Sequence, residues 1–447
     1  MYTDRIRKYI KIHIRNLLWL AGIVTLLVSC EKTAVYDNPN PPVISSLSPD
    51  SGPAGTSVYI EGKNFSPRIT DNTVMIGSTE VEVYKADSTS LVVIIPEGLE
   101  SGAVKVTVND KSVTGPVFTY VPTVTVLPYA GNGLIGLQDG SLTDARFNLP
   151  RAMTLDADGN IYVADQANNV IRKITADGQV STLAGNGEAG SMDGTGSGAR
   201  FNQPGALVTG KDGNIYVADY AGNAIRKVTP QGEVTTIAGD SIPGNVNGDG
   251  IYAQFYGPSG ITVDDQGNLY VTDFWNNVIK KITPDYQVSL FAGTGAIGTD
   301  DGDRLQATFY GPTTITTDKD GNMYVGDWFN FRIRKIDPSG MVSTLAGSTQ
   351  GYVDDTASAA QFNTPVGLAT DNQGNIYVAD GFNNVIRKVN SEGIVTTFAG
   401  TTSPGYKNGS PEDALFNGPV GLLYDTKANI LYVADWYNYR IRKITIR

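Results

Sequence analysis

The chain has a single cysteine and a single histidine among its 447 residues, and both lie near the N-terminus. Because Cys30 is the only thiol, no disulfide can form within the chain. Because His13 is the only imidazole, neither a Ser-His-Asp triad nor a histidine-ligated zinc site can be built from the rest of the sequence. Long apolar runs are also missing after the N-terminal segment, so the body of the chain is not expected to cross a membrane as helices.

The first 30 residues combine a basic stretch with an apolar one. Basic residues occur from Arg5 to Arg15, an apolar run extends from Leu17 to Val28, and Leu27-Val28-Ser29-Cys30 follows. The run is short for a membrane span, and a small residue precedes the cysteine. The segment resembles the signal peptide of bacterial lipoproteins, which implies cleavage after residue 29 and lipidation of Cys30. An uncleaved signal anchor is the alternative.

This resemblance implies an outer-membrane lipoprotein that faces the periplasm or the cell exterior, because Glu31 rather than Asp follows the cysteine. A membrane contact through the lipid anchor alone is then expected, with residues 30–40 as a tether. Cleavage would remove His13, five of 34 basic residues and one of 45 acidic residues, which leaves 29 and 44 and a net charge of −15. This acidic excess repels phosphate, so no nucleic-acid partner is expected.

Residues 41–121 contain six short β-type runs separated by turn residues, a spacing typical of a small sandwich. The segment from Pro42 to Phe65, with Ser48-Pro49 and Gly52-Pro53-Ala54-Gly55 at its centre, resembles the opening of an IPT/TIG domain. The resemblance implies an immunoglobulin-like fold. It also implies a role as a spacer or interaction module.

The remainder of the chain, residues 122–447, repeats one unit six times. Tyr-Val-Ala-Asp or a near copy ends at positions spaced 53 to 55 residues apart, namely Asp165, Asp219, Asp273, Asp327, Asp380 and Asp435. In the third copy four β-type runs, called strands a to d, fall at residues 260–264, 269–273, 278–282 and 288–293. Four strands in each of six repeats predict a six-bladed β-propeller.

The two ends of the repeat region predict how the ring closes. Residues 124–131 have the pattern of strand d without strands a to c before them, and residues 440–446 have the pattern of strand c without a following strand d. Pairing these segments would complete the last blade and remove two sheet edges. We therefore expect an all-β chain: a small Ig-like sandwich, then a six-bladed propeller closed by an N-terminal strand.

The repeated unit Gly-Asn-Ile-Tyr-Val-Ala-Asp, followed by Asn and then Ile-Arg-Lys-Ile, resembles the NHL repeat. The chain departs from that family at its Asn-His pair, where the fourth copy reads Asn330-Phe331. The resemblance implies the propeller fold and a range of functions, since NHL propellers bind proteins, RNA or small molecules and a few relatives are enzymes.

The aspartate that ends each strand b has regular companions. Asn follows three residues later, except at Gly222, and Arg follows seven residues later, except at Lys280. A carboxylate can accept from backbone N–H groups of the turn and pair with the cation of the next strand. Since the set occurs in every blade, it predicts a structural role.

Aromatic residues, in contrast, concentrate in particular copies, at the b–c turns and at the loop before strand a. These turns and loops share one face of a propeller. Aromatic rings suit stacking on sugars, and filling gaps between blades is the alternative. The candidate ligand residues are Tyr256, Phe274, Trp275, Tyr310, Trp328, Phe329, Phe331, Phe382, Trp436, Tyr437 and Tyr439.

Acidic loops offer weak candidates for calcium ligands, at Asp300, Asp301 and Asp303. Carboxylate oxygens suit Ca²⁺, but Asp-Gly is also a common turn dipeptide. We expect no other cofactor, and the sequence identifies no catalytic residue.

These patterns favour a membrane-anchored, non-catalytic, extracytoplasmic protein that binds a glycan or another extracellular ligand on the aromatic-rich face. Two alternatives remain at this point. One is a propeller hydrolase, lactonase or lyase, with Ca²⁺ as a possible cofactor. The other is a scaffold for protein partners in the outer membrane.

Overall fold

The computed structural model describes residues 38–447, which fall into two compact units that divide after Val121. The proposed signal peptide, Cys30 and most of the tether lie outside the described residues. None of the helices in residues 38–447 has the length and apolar character needed to cross a membrane.

The first unit is a sandwich of two sheets, as predicted from its IPT/TIG-like opening. One sheet has the strands Val43–Ser48, Ser57–Lys63, Ser90–Ile94 and Val83–Ala86 in that order. The other has the strands Ser51–Gly52, Lys111–Tyr120, Gly102–Val108, Asn72–Ile76 and Thr79–Val81, and a short 3₁₀ helix spans Ile69–Asp71. Alternating residues such as Val58, Ile60, Val104 and Val106 are fully buried between the sheets, as period-2 patterning requires.

The second unit contains six antiparallel sheets, each a blade of four long strands. The all-β propeller fold predicted from the repeats is confirmed. Strands a are Pro150–Leu155, Pro204–Thr209, Pro258–Val263, Pro312–Thr317, Pro365–Thr370 and Pro419–Asp425. Strands b are Ile161–Asp165, Ile215–Asp219, Leu269–Asp273, Met323–Asp327, Ile376–Asp380 and Ile430–Asp435.

Strands c and d complete the blades. Strands c are Val170–Ile174, Ala224–Val228, Val278–Ile282, Arg332–Ile336, Val385–Val389 and Arg440–Ile446. Strands d are Gln179–Ala184, Glu233–Ala238, Gln287–Ala292, Met341–Ala346, Val395–Ala399 and, for blade 6, Val124–Ala130. Two-residue strands flank strand d in blades 1 to 4, at Gly140–Ser141, Gly194–Thr195, Gly248–Asp249 and Gly302–Asp303.

Short 3₁₀ helices occupy the turns and loops of the blades. Those in the b–c turns are Gln166–Asn168, Phe274–Asn276, Trp328–Asn330, Gly381–Asn383 and Trp436–Asn438. Those in the d–a loops are Gly196–Gly198, Gly250–Tyr252 and Ala357–Ala359.

The six blades form a closed ring around strands a. Each strand a contacts strand a of the next blade, and the last contacts the first. Blade 6 combines the two ends of the unit, because Val124–Ala130 pairs with Arg440–Ile446 in the register Val126 opposite Ile444. The predicted closure by an N-terminal strand is therefore present.

The aspartate of strand b anchors the turn and the loop of its own blade. In blade 4 the side chain of Asp327 accepts from Tyr310 N at 2.8 Å, Asn330 Nδ2 at 2.8 Å and Arg334 Nη1 at 2.9 Å. Asp327 and Arg334 are both fully buried. Arg334 also donates to the carbonyl oxygens of Thr308 and Asp300. The full arrangement recurs in blades 1, 5 and 6, which confirms a structural role for these aspartates.

Two blades depart from this arrangement where their sequences do. Lys280 replaces the arginine in blade 3 and lies 3.3 Å from Asp273. In blade 2 the asparagine is Gly222, so Asp219 has one hydrogen-bond donor fewer than its counterparts. Burial raises the pKa of Asp219 to about 7 and that of Asp165 to about 6, against the opposing attraction of the arginines.

Candidate ligand site at the mouth of the channel

The second unit has a central channel that opens among the b–c turns. The channel, about 320 Å³ in volume, is lined by residues of all six strands a. On the side of the b–c turns it adjoins two further cavities. The larger, here called the mouth cavity, has a volume of about 410 Å³, and the smaller, here called the side cavity, about 50 Å³. Arg151 lines all three spaces, so they adjoin at this residue.

The first residue of each b–c turn points toward these cavities. These six residues are Gln166, Tyr220, Phe274, Trp328, Gly381 and Trp436, and each lines the mouth cavity or the side cavity. The position follows directly after the anchored aspartate of strand b, so the ion pair beneath it holds the turn in place. The predicted shared face of the aromatic turns is therefore present.

Trp328 and Trp436 are the two predicted residues that line both the mouth cavity and the side cavity. Both are half-buried, so part of each ring remains open. The buried Nε1 of Trp436 has no hydrogen-bond partner among the described residues. Phe382 and Tyr437, which are 58% and 44% exposed, line the side cavity beside them. These four residues form the open aromatic surface of the site.

Phe274 lines the mouth cavity but is only 3% exposed, so little of its ring is open to the cavity. Its ring lies 5.5 Å from that of Trp328 and 4.7 Å from that of Trp275, both edge-on. It also lies 5.8 Å from Phe329. Phe274 therefore supports neighbouring rings across the boundary between blades 3 and 4, which is the gap-filling alternative.

Four predicted residues line neither the mouth cavity nor the side cavity in residues 38–447. They form a supporting belt of rings beside the site: Tyr256, Trp275, Tyr310 and Phe329. The ring pairs are Tyr310 with Phe329 at 4.6 Å and Tyr256 with Trp275 at 6.0 Å. Trp275 Nε1 donates to the hydroxyl of Tyr220 at 3.1 Å, which links the belt to a residue of the mouth cavity.

Glycine makes room for the aromatic residue at the second position of three b–c turns. A Cβ atom at Gly257, Gly311 or Gly418 would lie 2.7 to 2.8 Å from the ring of Trp275, Phe329 or Tyr437. Those distances are too short for van der Waals contact. Blades 1 and 2, which have Leu149 and Gln203 at the glycine position, have alanine in the turn. The ring and the glycine thus occur together in blades 3, 4 and 6, whereas blade 5 has Thr364 at the glycine position and Phe382 in the turn.

Phe331 and Tyr439 occupy a strained backbone position at the end of their b–c turns. Their φ angles are 54° and 55°, in the left-handed region that Asn tolerates better than aromatic residues. The other four blades have Asn there, and Asn277 Oδ1 accepts from Gly311 N of the next blade at 3.0 Å. Among the described residues neither ring lines a cavity of the site, so their predicted contact with ligand has no support in the geometry.

This strain predicts that Phe331→Asn stabilises the protein. We expect the free energy of unfolding to rise by about 1 kcal/mol, because Asn tolerates the conformation and can accept from Thr364 N as Asn277 does from Gly311 N. Urea denaturation would measure the change. The reverse substitution Asn277→Phe is the matched control and should destabilise by a similar amount. A less stable Phe331→Asn protein would show that ring packing outweighs the backbone strain.

Arg151 lines the site and was not among the residues predicted from the sequence. It is the second residue of strand a in blade 1, directly after Pro150. The signal lies in the alignment of the repeats, since the residue after this proline is uncharged in the other five copies: Gly205, Ser259, Thr313, Val366 and Val420. The position lies in strand a, outside the turns and loops that contain the predicted aromatic residues.

The acidic loop proposed for calcium has other partners. Asp301 Oδ1 lies 2.7 Å from Arg334 Nη2, and its Oδ2 accepts from Thr344 N. Asp300 and Asp303 bind within their own loop, to Thr308 and Leu305. Nowhere in residues 38–447 do three or more His, Cys, Asp or Glu residues come together as metal ligands would. The turn interpretation accounts for this loop.

Comparison with family models agrees with the two-part architecture. Residues 42–120 match the IPT/TIG domain, and residues 255–282 match the NHL repeat. Residues 178–242 and 350–417 match the Teneurin NHL domain.

Among curated proteins, the chain is 30% identical over 288 residues to Protein SUPPRESSOR OF QUENCHING 1, chloroplastic, of Arabidopsis thaliana. That match covers 59% of this chain and 27% of the plant protein. The chain is 28% identical over 348 residues to human NHL repeat-containing protein 2, which covers 69% and 48% of the two chains. The chain thus spans about half or less of these relatives' lengths.

Solved structures resemble the chain over almost its whole length. A Bacteroides thetaiotaomicron protein of unknown function is 22% identical with a TM-score of 0.62, covering 93% of this chain and 100% of that one. A protein from the same organism, described as an auxiliary nutrient binding protein, is 19% identical with a TM-score of 0.58, covering 92% and 99%. A Bacteroides ovatus protein of the same description is 22% identical with a TM-score of 0.57, covering 92% and 99%. At these identities the likeness concerns the fold.

Proposed function

We propose that the protein is a membrane-anchored, extracytoplasmic binding protein that recognises a glycan at the mouth of the propeller channel. The observation that carries this proposal is the pair of half-buried rings, Trp328 and Trp436, that line a cavity of about 410 Å³. That volume lies within the range of small-molecule sites. Lipidation at Cys30 would supply the anchor, and the outer membrane is the proposed location.

The chemistry of the lining favours a sugar. Sugar rings have apolar faces that stack on aromatic rings and hydroxyl groups that need hydrogen-bond partners. The mouth cavity provides both, because amide side chains stand beside the tryptophans: Gln166, Asn169, Asn202 and Gln203. Asn169 and Asn202 already donate to the carbonyl oxygens of Gly187 and Ala221. A purely apolar ligand would therefore leave the side chains of Gln166 and Gln203 without hydrogen-bond partners among the described residues.

The lining also favours binding over hydrolysis. Glycoside hydrolysis commonly needs two carboxylic acids, and general acid–base catalysis needs a titratable group beside the substrate. Among the described residues, no aspartate, glutamate, histidine or cysteine lines the mouth cavity, and its titratable side chains are Arg151 and Tyr220. The similar Bacteroides structures described as auxiliary nutrient binding proteins are consistent with a binding role.

Replacing Trp328 and Trp436 with alanine tests the proposal. Each single variant is expected to weaken binding to the best glycan of a screened panel by about 30-fold, because each removes a central aromatic contact. The screen and titration calorimetry would use residues 38–447. Thermal unfolding of each variant would establish that the propeller remains folded.

Tyr84→Ala is the matched control, because Tyr84 is a 60% exposed aromatic residue of the first unit. It should leave affinity unchanged. Trp275→Ala should have a smaller effect than Trp328→Ala, since Trp275 lines neither cavity and acts through its contacts with Tyr220 and Phe274. If both cavity-lining tryptophans can be removed without loss of affinity, the glycan does not bind at the channel mouth.

A further inference from the structure

Arg151 is the single charged residue in a ring of six equivalent positions around the channel. The position is the second residue of each strand a, and all six residues line the channel cavity. The other members are small or apolar: Gly205, Ser259, Thr313, Val366 and Val420. The six-fold repeat therefore contains one asymmetric charge, at the point where the channel meets the mouth cavity.

The guanidinium of Arg151 reaches across the ring and has few partners. Its Nη2 donates to Ser259 Oγ of blade 3 at 3.0 Å, and its Cζ lies 5.6 Å from the centre of the Tyr220 ring. In the part of the chain that the structure describes, this is its only hydrogen bond, and no carboxylate lies within 4.0 Å. Since arginine has five N–H donors, most of them are available to a ligand.

The lack of a carboxylate distinguishes Arg151 from the arginines inside the blades. Arg172, Arg226, Arg334, Arg387 and Arg442 are fully buried, and each pairs with the aspartate of its own strand b. The chain as a whole has a net charge of −11, so acidic residues are abundant. Within residues 38–447, none of them lies beside Arg151, the one cation that lines the channel.

Arg151 is half-buried and has no anion beside it in residues 38–447. Surrounding protein removes water from the guanidinium, which lowers the pKa of Arg151 from the ordinary arginine value, with Tyr220 acting in the opposite direction. An anionic ligand would replace the lost hydration with charge-assisted hydrogen bonds. The neighbouring aromatic rings exclude water and so strengthen that interaction.

We propose that Arg151 binds the carboxylate of an acidic sugar residue, so that the glycan recognised at the channel mouth contains uronic acid. This inference rests on the proposed function and deepens it. A planar carboxylate accepts two parallel hydrogen bonds from a guanidinium, and its single charge matches a single cation. A phosphate monoester would leave part of its double charge without a partner. A sulfate ester shares the single negative charge, and the experiment separates the two groups.

The test begins with an array of neutral, uronic acid-containing and sulfated oligosaccharides, probed with residues 38–447. We expect the tightest ligands to contain uronic acid. Reducing the carboxyl groups of the best ligand to alcohols should weaken binding on the order of 10- to 100-fold in calorimetry. Raising the salt concentration should weaken binding of the acidic ligand and leave binding of its carboxyl-reduced form unchanged.

Substitutions at Arg151 complete the test. Arg151→Met should weaken binding of the acidic ligand by the same 10- to 100-fold and leave binding of the carboxyl-reduced form unchanged. Arg151→Lys should retain part of the affinity for the acidic ligand. Lys211→Met removes an exposed cation from an a–b turn, and serves as the charge-matched control with no effect. The thermal midpoint of Arg151→Met should change little, because the variant loses one hydrogen bond, to Ser259, and no ion pair.

The outcomes separate this inference from the proposed function. Tight binding of neutral glycans, unaffected by Arg151→Met, would leave the proposed function intact and overturn the role of Arg151. A preference for sulfated over uronic acid ligands would overturn the carboxylate assignment. Failure of every glycan on the array to bind would overturn both proposals.

Discussion

Replacing Arg334 with methionine is expected to lower the free energy of unfolding by about 3–5 kcal/mol, the largest effect we predict for a single residue. The substitution leaves Asp327 charged and fully buried, with no cation beside it. It also removes the donors to the carbonyl oxygens of Thr308 and Asp300, which hold the d–a loop against strand c. The change would appear as a lower urea midpoint.

The pH dependence of this variant provides a second measurement. Without Arg334, burial should raise the pKa of Asp327 further above its unfolded value, so the folded state takes up a proton that the unfolded state releases. The stability deficit should therefore grow as pH rises above the ordinary aspartate pKa and shrink as pH falls below it. The double substitution Asp327→Asn, Arg334→Met should recover most of the loss.

Lys335→Met, on the same strand, is the matched control, because Lys335 lies outside this network. It should change the free energy of unfolding by less than about 0.5 kcal/mol. A loss below about 1 kcal/mol for Arg334→Met would contradict the structural role of the repeated aspartates. It would mean that the turn and loop hold together without the ion pair.

Replacing Val126 with aspartate should destabilise the protein by about 3–4 kcal/mol, because a charge enters the core of the closing blade. Val126 is fully buried, lies opposite Ile444 and exchanges two backbone hydrogen bonds with Gly409. The loss should be concentrated in blade 6, so amide hydrogen exchange should accelerate first in Arg440–Ile446. Denaturation and hydrogen exchange would measure the two effects.

Thr125→Asp distinguishes the cost of burying a charge from the cost of placing aspartate in a strand. Thr125 is a neighbouring residue of the same strand that is only half-buried, and its substitution should cost much less than that of Val126. Equal effects at both positions would show that aspartate weakens the strand itself rather than the core. If amide protection in blade 6 of Val126→Asp equals amide protection in the other blades, the loss of stability does not come from the closing strand.

The sequence predicted the fold well because each structural choice is repeated. Period-2 runs, turn glycines and the Asp-Asn-Arg set recur in successive copies, so an ambiguous strand in one copy is resolved by the others. The incomplete copies at the two ends also indicated that Val124–Ala130 would pair with Arg440–Ile446. These features depend on contacts within a blade, which the order of residues specifies directly.

The site was harder to predict because it depends on contacts between blades. The repeats placed the aromatic turns on one face, but they did not distinguish Trp328, which lines two cavities, from Phe274, which is buried by its neighbours. Likewise, Asp301 resembled a calcium ligand until Arg334, 33 residues later, proved to be its partner. Arg151 reaches a serine 108 residues away, a distance that no local pattern encodes.

The geometry of the closing strands determines how the ring would respond to mechanical force. Val124 lies opposite Ile446, and Thr123 N and Arg447 O are hydrogen-bonded, so both ends of the pair emerge at the same side. A force applied between residues 123 and 447 would break the hydrogen bonds between these two strands one after another, as in unzipping, rather than loading them together in shear. If force acts on residue 123 while residue 447 is left free, the load would instead pass to the ring along the whole of the paired strand.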